Sequence, residues 1–209
     1  AEDHQALWDR AVSAFGRVDI WVNNAGISLP RKPIWEIDPA GAQSIVDTNL
    51  VGVMSGTSVA VRGMLAQGGR GMIWNMEGFG SGGQMSEMMG VYGATKRALN
   101  YFTESMAKDL KDGPVSIALI SPGIVKTDLL IEDYAGQPEL WEKSKKFFNI
   151  LGDTVEDVTP VLAEGVLTPS ITTPAFVRYT RENVGPDLDV GCTIVASIHE
   201  SDRDTGRDG

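Results

Sequence analysis

Tyr92-Gly93-Ala94-Thr95-Lys96 begins a helical run after a glycine-rich loop, and this stretch decides how the rest of the chain is interpreted. Upstream stand Asn23-Asn24-Ala25-Gly26 and, within a helical stretch, Asn49. Downstream stands Ser121-Pro122-Gly123-Ile124-Val125-Lys126-Thr127. A tyrosine four residues before a lysine recurs by chance in many sequences. Because the four segments occur in this order, at spacings that suit alternating strands and helices, together they predict one α/β domain with a common site.

The hydrophobic pattern alternates between short apolar runs and longer helical repeats. Strands are predicted at residues 19–22, 72–76, 115–120 and 193–198, and helices at 6–15, 40–65 and 92–110, with a further helical segment that holds Trp141, Phe147 and Phe148. Such alternation predicts a parallel sheet with helices on both faces, whose ligands bind beyond the carboxyl ends of the strands. The loops at 23–26, 77–83 and 121–127 each follow a predicted strand, so all three should face one ligand.

The composition fits a single domain, predicted over residues 1–198, with a polar tail at 199–209. The net charge of −10 argues against a nucleic-acid-binding surface, which would be basic. Cys192 is the only cysteine, so we expect a reducing, cytoplasmic compartment and a structural, buried role for its thiol. His4 and His199 stand at opposite ends of the chain, which predicts no metal site. No apolar run approaches the ~20 residues that a membrane-spanning helix needs.

The Tyr92–Lys96 pair has a chemical interpretation and a structural one. Residues four apart share a helix face, so the two side chains should meet. The lysine ammonium would favour the phenolate and draw the tyrosine pKa down from ~10 toward neutrality, which suits a proton donor in carbonyl reduction. The same ammonium can donate hydrogen bonds to ribose hydroxyls. The alternative is an exposed tyrosine–lysine pair without a chemical role.

Taken together, these segments resemble the short-chain dehydrogenase/reductase family, from about Ala6 to Thr127 and more loosely to Pro174. The resemblance implies a Rossmann-like doubly wound parallel sheet. It also implies an NAD(P)(H)-dependent oxidoreductase that interconverts a carbonyl compound, an aldehyde or ketone, and an alcohol by hydride transfer. In that family the tyrosine matching Tyr92 donates or accepts the proton, and the lysine matching Lys96 tunes it and holds the nicotinamide ribose. An asparagine matching Asn49 anchors a water of the proton relay.

The resemblance further implies a cofactor-binding set that two loops share. The first loop packs beside the adenosine half of the cofactor, and the second meets the nicotinamide and its carboxamide. The residues are Asn24, Ala25 and Gly26 in the first loop and Pro122, Gly123, Val125 and Thr127 in the second. NADP or NAD is the expected cofactor, with NADPH favoured. The family often pairs subunits through the helices matching 40–65 and 92–110, which implies a homodimer or homotetramer.

The pattern departs from the family after the central strand, where a serine pair usually stands. Here Asn75-Met76 is followed by Glu77-Gly78, so the serine that hydrogen-bonds the substrate carbonyl is missing from its usual place. Ser81 is the nearest hydroxyl, and it either replaces that serine or is a loop serine without contact to substrate. Gly78, Gly80 and Gly83 match the dinucleotide pattern G-x-G-x-x-G, but the next helix starts late, so we interpret this match as fortuitous.

Several local strings are similar to the chlorophyll b reductase branch of the family, which reduces the formyl group of chlorophyll b with NADPH. These strings are Asn75-Met76-Glu77-Gly78-Phe79-Gly80-Ser81-Gly82-Gly83, Thr127-Asp128-Leu129-Leu130, Phe147-Phe148-Asn149-Ile150 and Thr172-Thr173-Pro174. We therefore expect residues 131–151 to form a lid over a bulky apolar substrate. The alternative is that their aromatic side chains, Tyr134, Trp141, Phe147 and Phe148, only pack as core.

The family's phosphate-binding glycine loop lies on a first strand, before the position of Ala6, and no such loop stands in this sequence. A parallel sheet without its first strands would expose an unpaired edge, so we expect the sequence to be a fragment of a longer chain. The alternative function is a non-catalytic relative that binds a ligand or a partner through the same sheet edge. The missing glycine loop and serine favour that alternative, whereas Tyr92, Lys96 and Asn49 favour the enzyme.

Overall fold

The structure is a computed structural model that describes residues 2–168 and the backbone of residues 176–178. Four predictions lie outside these residues: the strand at 193–198, the polar tail at 199–209, the buried position of Cys192 and the role of residues 172–174. Within the described residues, no helix is long and apolar enough to cross a bilayer.

Helices and strands alternate along the described chain as the hydrophobic pattern predicts. The helices are α1 (Glu2–Phe15), α2 (Pro39–Val46), α3 (Val53–Ala66), α4 (Gly90–Asp109), α5 (Asp128–Glu132), α6 (Pro138–Leu151) and α7 (Val155–Leu167). The strands are β1 (Ile20–Asn23), β2 (Gly71–Met76), β3 (Val115–Ser121) and β4 (Phe176–Arg178). Three strands and the long helices therefore confirm the sequence prediction to within a few residues, whereas β4 was not predicted.

The four strands form one parallel sheet in the order β1-β2-β3-β4. Asn23 at the end of β1 pairs in register with Asn75 in β2, and Met76 pairs with Ile120 in β3. The carboxyl ends of β1, β2 and β3 therefore lie side by side. The loops that follow them meet at one edge of the sheet, as predicted for a ligand site.

Each face of the sheet buries a separate apolar cluster, because side chains alternate between the two faces along a strand. On one face the strand residues pack with Trp8 of α1 and with Met64 of α3. Gly63 leaves the room for Trp8, since a Cβ at this position would collide with the indole ring. On the other face Trp74 and Ile120 pack against Leu162 of α7. Helices thus cover both faces, which confirms the predicted α/β class.

The helix predicted at 40–65 is continuous but not uniform. A π-helical segment, Asp47–Gly52, joins α2 to α3. Such segments add a residue to one turn, shift the side chains that follow and occur frequently at functional sites. Asn49 lies in this segment and is fully buried. The π-helical turn therefore positions Asn49, the residue of this helix for which the sequence predicts a functional role.

Candidate active site

Tyr92 and Lys96 lie on the first turns of α4, directly beyond the carboxyl end of β2. Lys96 is 4% exposed, and its Nζ donates a hydrogen bond to the Met76 carbonyl at 3.1 Å. The same Nζ lies 5.7 Å from the centroid of the Tyr92 ring. The two side chains therefore meet in the interior at the sheet edge, and they do not form the exposed helix pair that was the alternative.

The electrostatics of this pair differ from the sequence expectation. Burial, with a smaller contribution from the negative charge of Asp133, raises the pKa of Tyr92 to about 12. Burial lowers the pKa of Lys96 to about 8, while the Glu77 carboxylate opposes that change. The expected lowering of the Tyr92 pKa is thus wrong, because desolvation and the nearby Asp133 charge both favour the phenol over the phenolate. At neutral pH Tyr92 is a phenol and can donate a proton.

Asn49 holds the loop after β1 against this pair. Its Oδ1 accepts a hydrogen bond from the Ile27 amide at 2.8 Å, and its Nδ2 donates to the Ile27 carbonyl at 2.9 Å. A Cβ on the neighbouring Gly26 would lie 3.5 Å from Asn49 Oδ1 and 3.6 Å from Lys96 Nζ. The asparagine therefore fixes Gly26 beside the lysine ammonium. Its predicted role as the anchor of a relay water stays a prediction.

The remaining cofactor-binding residues predicted from the sequence lie at the same sheet edge. Asn24 and Ala25 are exposed between β1 and the Gly26 turn. The second loop leaves β3 through Gly123, whose φ of +72° is a conformation that glycine adopts without strain. Its residues Pro122, Val125 and Thr127 are half-buried, and Thr127 immediately precedes α5. The fold brings both loops to one edge, and their contacts with a cofactor stay predictions.

Ser81 is buried in the loop after β2 and does not line the cleft beside Tyr92. Its hydroxyl donates a hydrogen bond to Glu77 Oε2 at 2.9 Å. Arg97 Nη1 donates to the Ser81 carbonyl at 2.8 Å and ties the loop to α4. A serine proton that points to a carboxylate is not free for a substrate carbonyl. To act as the predicted carbonyl ligand, Ser81 would therefore have to exchange its hydrogen bond to Glu77 for one to the substrate.

The cleft beside Tyr92 is formed by four segments: the loop after β1, α2, the start of α4 with the residues before it, and the end of α5. Apolar side chains supply most of its wall, and the polar groups are few. The lining residues are Ser28, Leu29, Pro30, Arg31, Ile37, Ile45, Met88, Met89, Val91, Tyr92 and Asp133. Met88 has a φ of 60°, an unusual backbone conformation for a residue with a side chain. This composition is typical of a pocket for a largely apolar ligand.

Asp133 is the residue of this cleft that the sequence analysis missed. Its side chain is 5% exposed, and burial raises the pKa of its carboxyl, against the hydrogen bond from Ser28 and the charge of Arg31. Nothing in the local sequence distinguishes it from the exposed Asp128 and Glu132 of the same segment. Only its position after the last turn of α5 directs it inward, so no sequence signal identifies it.

Residues 131–151 were expected to form a lid over the cleft, but within this segment only Asp133 lines it. The rings of Tyr134, Trp141 and Phe148 pack against one another with centroids 5.5–6.1 Å apart. The Arg31 guanidinium lies over the Tyr134 ring at 4.8 Å, and Gln137 Nε2 donates to the Arg31 carbonyl at 2.8 Å. The aromatic side chains thus form a small core of their own, as the alternative held. The segment faces the cleft through Asp133.

Two glycines pack close to the Tyr92–Lys96 pair. A Cβ on Gly78 would collide with the Tyr92 hydroxyl, whereas a Cβ on Gly26 would be in ordinary contact with the Lys96 ammonium at 3.6 Å. Lys96 carries the hydrogen-bond donors that ribose hydroxyls need. These residues fit the nicotinamide ribose end of a dinucleotide. No glycine-rich turn that would hold its phosphates is recognised within residues 2–168.

Comparisons with known proteins give a consistent result. The family model described as short chain dehydrogenase matches residues 1–138. The probable chlorophyll(ide) b reductase, chloroplastic, of Arabidopsis thaliana is 36% identical over 161 residues, which are 77% of this chain and 31% of that protein. The chain thus spans about a third of the length of this curated relative.

Two solved structures have a similar fold. A short chain dehydrogenase/reductase from Burkholderia phymatum in complex with NAD aligns with a TM-score of 0.67 and 26% identity, over 78% of this chain and 63% of that chain. A metagenomic short-chain oxidoreductase in complex with NADP aligns with a TM-score of 0.53 and 27% identity, over 58% of this chain and 54% of that chain. Both alignments agree with a Rossmann-like parallel sheet.

Proposed function

The chain belongs to the short-chain dehydrogenase family, and we propose that it carries the catalytic centre of an NAD(P)(H)-dependent oxidoreductase that interconverts an aldehyde or ketone and an alcohol. The observation that carries this proposal is the buried Lys96 ammonium close to the half-buried Tyr92 ring, which lines an apolar cleft. An exposed tyrosine–lysine pair would keep its ammonium hydrated, whereas burial of an ammonium costs free energy. The solved relatives bound to NAD and to NADP support a nicotinamide cofactor, and we favour NADPH.

Tyr92 acts as the general acid for carbonyl reduction in this proposal. With its pKa at about 12 it stays protonated at neutral pH and can donate its proton to the carbonyl oxygen. The Lys96 ammonium, close to the ring, stabilises the phenolate that is left. When bound, the nicotinamide cofactor supplies the hydride for reduction or accepts it for oxidation. The apolar cleft wall excludes water from the carbonyl and strengthens these interactions.

Asn49 and Gly26 position the cofactor side of the site. The two hydrogen bonds from Asn49 to Ile27 fix the loop after β1, and Gly26 then leaves open the space next to Lys96 Nζ. Lys96 would donate hydrogen bonds to the ribose hydroxyls. Pro122, Gly123, Val125 and Thr127 would meet the nicotinamide from the end of β3.

The substrate that we propose is a bulky, largely apolar carbonyl compound. Leu29, Ile37, Ile45 and Met88 give the cleft its apolar wall. The Arabidopsis relative is named a chlorophyll(ide) b reductase, so a formyl group on a large ring system is one substrate of the proposed class.

Compartment and assembly are parts of the same proposal. We propose a cytoplasmic protein, although the Arabidopsis relative is named chloroplastic. We also propose a homodimer or homotetramer that pairs through α2, α3 and α4. Val51 of the π-helical segment and Met54 of α3 are exposed and would lie at that interface.

The direct test is cofactor binding followed by turnover. The purified chain is titrated with NADPH and NADH while nicotinamide fluorescence is followed, and then mixed with acetophenone, benzaldehyde or chlorophyllide b while nicotinamide absorbance is measured. The proposal predicts saturable binding and carbonyl-dependent oxidation of the cofactor. Saturable binding without turnover of any carbonyl would favour the non-catalytic alternative, and a folded chain that binds neither cofactor would contradict the proposal for this stretch of sequence.

A further inference from the structure

Two buried polar atoms on the wall of the cleft have no hydrogen-bond partner in the described chain. They are Asp133 Oδ1 and Arg31 Nε. Asp133 is buried, with 5% of its surface exposed. Buried polar groups in native proteins are paired in the large majority of cases, so an unpaired carboxylate oxygen calls for a specific explanation. At the wall of a ligand cleft, a ligand group is the simplest partner.

The surroundings of Asp133 hold its carboxyl in place without satisfying it. Its backbone carbonyl accepts a hydrogen bond from the Arg31 amide at 2.9 Å. The Ser28 side chain hydrogen-bonds the carboxyl, and the Arg31 guanidinium acts on it by its charge. Arg31 itself is held by Ser86, whose Oγ lies 3.2 Å from Nη1, and by the Tyr134 ring. The carboxyl is therefore held in place with Oδ1 buried and unpaired within the described residues.

Asp133 shares the cleft with Tyr92, and its negative charge acts on the Tyr92 hydroxyl. The wall around the two groups is apolar. In a pocket of this kind a single fixed polar group sets the orientation of the ligand, because any other pose leaves that group unpaired. A ligand that satisfies both groups must carry a hydrogen-bond donor near the oxygen that meets Tyr92.

We propose that Asp133 is a specificity-determining residue which accepts a hydrogen bond from a hydroxyl next to the reacting carbonyl, so that the substrates are hydroxy ketones or hydroxy aldehydes with apolar substituents. The inference rests on the proposed function in one respect, that Tyr92 marks the position of the reacting oxygen. Oxidation in the reverse direction would take the corresponding diols. Asp133 selects among carbonyl compounds and takes no part in the hydride transfer.

The test compares two probes that differ by one hydroxyl, 2-hydroxyacetophenone and acetophenone. Their dissociation constants are measured by calorimetry on the chain without cofactor, so that no turnover is needed. We expect the hydroxylated probe to bind about tenfold more tightly or better, as one hydrogen bond to a buried carboxylate allows. In Asp133→Leu, which keeps the size but removes the acceptor, the ratio should fall to about one. Asp133→Asn keeps one acceptor oxygen and should hold an intermediate ratio.

Asp128→Leu is the matched control, because it makes the same change at an exposed position at the start of α5. It should leave the ratio unchanged. Thermal unfolding serves as the check on folding: a cooperative transition shows that Asp133→Leu is folded, although the variant loses the hydrogen bond from Ser28 and the charge that faces Arg31 and should therefore have a lower Tm. If that variant fails to fold, the ratio in Asp133→Asn decides, since an unchanged ratio there contradicts a role for the carboxylate.

Equal binding of the two probes by the unaltered chain would overturn the inference, and so would binding of neither or a preference that survives in Asp133→Leu. These outcomes are distinguishable from failure of the proposed function. A chain that shows the preference but never oxidises NADPH leaves Asp133 as a ligand-binding residue and contradicts only the enzyme. A chain that reduces both probes equally well contradicts only the role of Asp133.

Discussion

Two groups of buried polar side chains lie near the carboxyl edge of the sheet, and they differ in how completely they are paired. In the first group, Asn23 Nδ2 donates to Thr57 Oγ1 at 3.1 Å and to Asn75 Oδ1 at 2.8 Å. Asn75 Nδ2 donates to Thr103 Oγ1 at 2.9 Å. In the second group, at the cleft, Asp133 Oδ1 and Arg31 Nε have no partner within the described residues.

We infer from this difference that the paired residues stabilise the fold and that the unpaired residues bind a ligand. The first group, which we call the asparagine network, links β1, β2, α3 and α4 and satisfies its own hydrogen bonds, so it stabilises one arrangement of these elements. The cleft group costs stability, because its charges are desolvated without full compensation. Residues of the asparagine network should therefore matter to unfolding, and residues of the cleft should matter to chemistry.

The largest effect that we expect is on turnover, from Tyr92→Phe. The change removes the proton donor and should lower kcat by about 10²–10⁴-fold, the usual contribution of a general acid. Cofactor affinity and Tm should stay the same, because the phenyl ring keeps the packing. The measurement is kcat together with nicotinamide fluorescence. Tyr101→Phe on the same helix, 76% exposed, is the control and should be silent.

Asn75→Ala should have the largest effect on stability. It removes one of the two acceptors of the Asn23 amide and the donor to the Thr103 hydroxyl, and it leaves a cavity beside them. We expect a loss of about 2–4 kcal/mol in the free energy of unfolding, measured by urea denaturation. Asn149→Ala, at an exposed position on α6, should change it little. Equal effects of the two variants would show that the asparagine network does not stabilise the fold.

Substitution of a buried residue usually lowers the free energy of unfolding, but Lys96→Met should raise it at neutral pH. The pKa of Lys96 falls from 10.5 to about 8 on folding, so between these values the unfolded chain holds the extra proton and stability rises with pH. The full effect is roughly 3 kcal/mol at ~1.4 kcal/mol per pKa unit. Urea denaturation at several pH values should show a gain for Lys96→Met at pH 7 that shrinks by pH 10.

The control for this experiment is Lys108→Met, which removes the same charge from an exposed position on α4. Its effect on stability should not vary between these pH values. A Lys96→Met effect that is independent of pH would mean that the ammonium is solvated.

The smallest effect that we expect concerns the pH profile of alcohol oxidation. Oxidation needs the Tyr92 phenolate, and with a pKa of about 12 the value of kcat/KM should still rise at pH 10. Asp133→Asn removes a neighbouring negative charge, so the rise should begin at lower pH. Lys96, whose Nζ lies 5.7 Å from the centroid of the Tyr92 ring, is unchanged in this variant. A profile that already levels off near pH 7 would contradict the raised pKa.

The hydrophobic pattern predicts much of the fold because periodicity alone distinguishes strands from helices. The segments at 19–22, 72–76 and 115–120 became β1, β2 and β3, and the loops that follow them converge as the rule for parallel sheets requires. The π-helical segment at Asn49 was not predictable, since it depends on tertiary packing that no local sequence encodes.

The candidate site was predicted in its residues but not in its electrostatics. Tyr92 and Lys96 are visible in the sequence as a pair, whereas their desolvation depends on neighbours that are distant along the chain. The same applies to Asp133, whose burial is set by the end of α5, and to Ser81, whose hydroxyl donates to Glu77 and whose role as a carbonyl ligand stays a prediction. Sequence spacing thus predicts which side chains lie close together, whereas burial, which depends on the tertiary structure, determines their pKa values and hydrogen bonds.

The most direct test of the central claim follows the hydride itself. The chain is incubated with NADPH that carries deuterium at the transferable position of the nicotinamide, together with acetophenone or 2-hydroxyacetophenone, and the alcohol is analysed by mass spectrometry. The account predicts deuterium on the former carbonyl carbon, with a yield that falls about 10²–10⁴-fold in Tyr92→Phe. Saturable NADPH binding without deuterium in any alcohol product, or equal transfer by Tyr92→Phe, would contradict the assignment of Tyr92 and Lys96 as a catalytic centre.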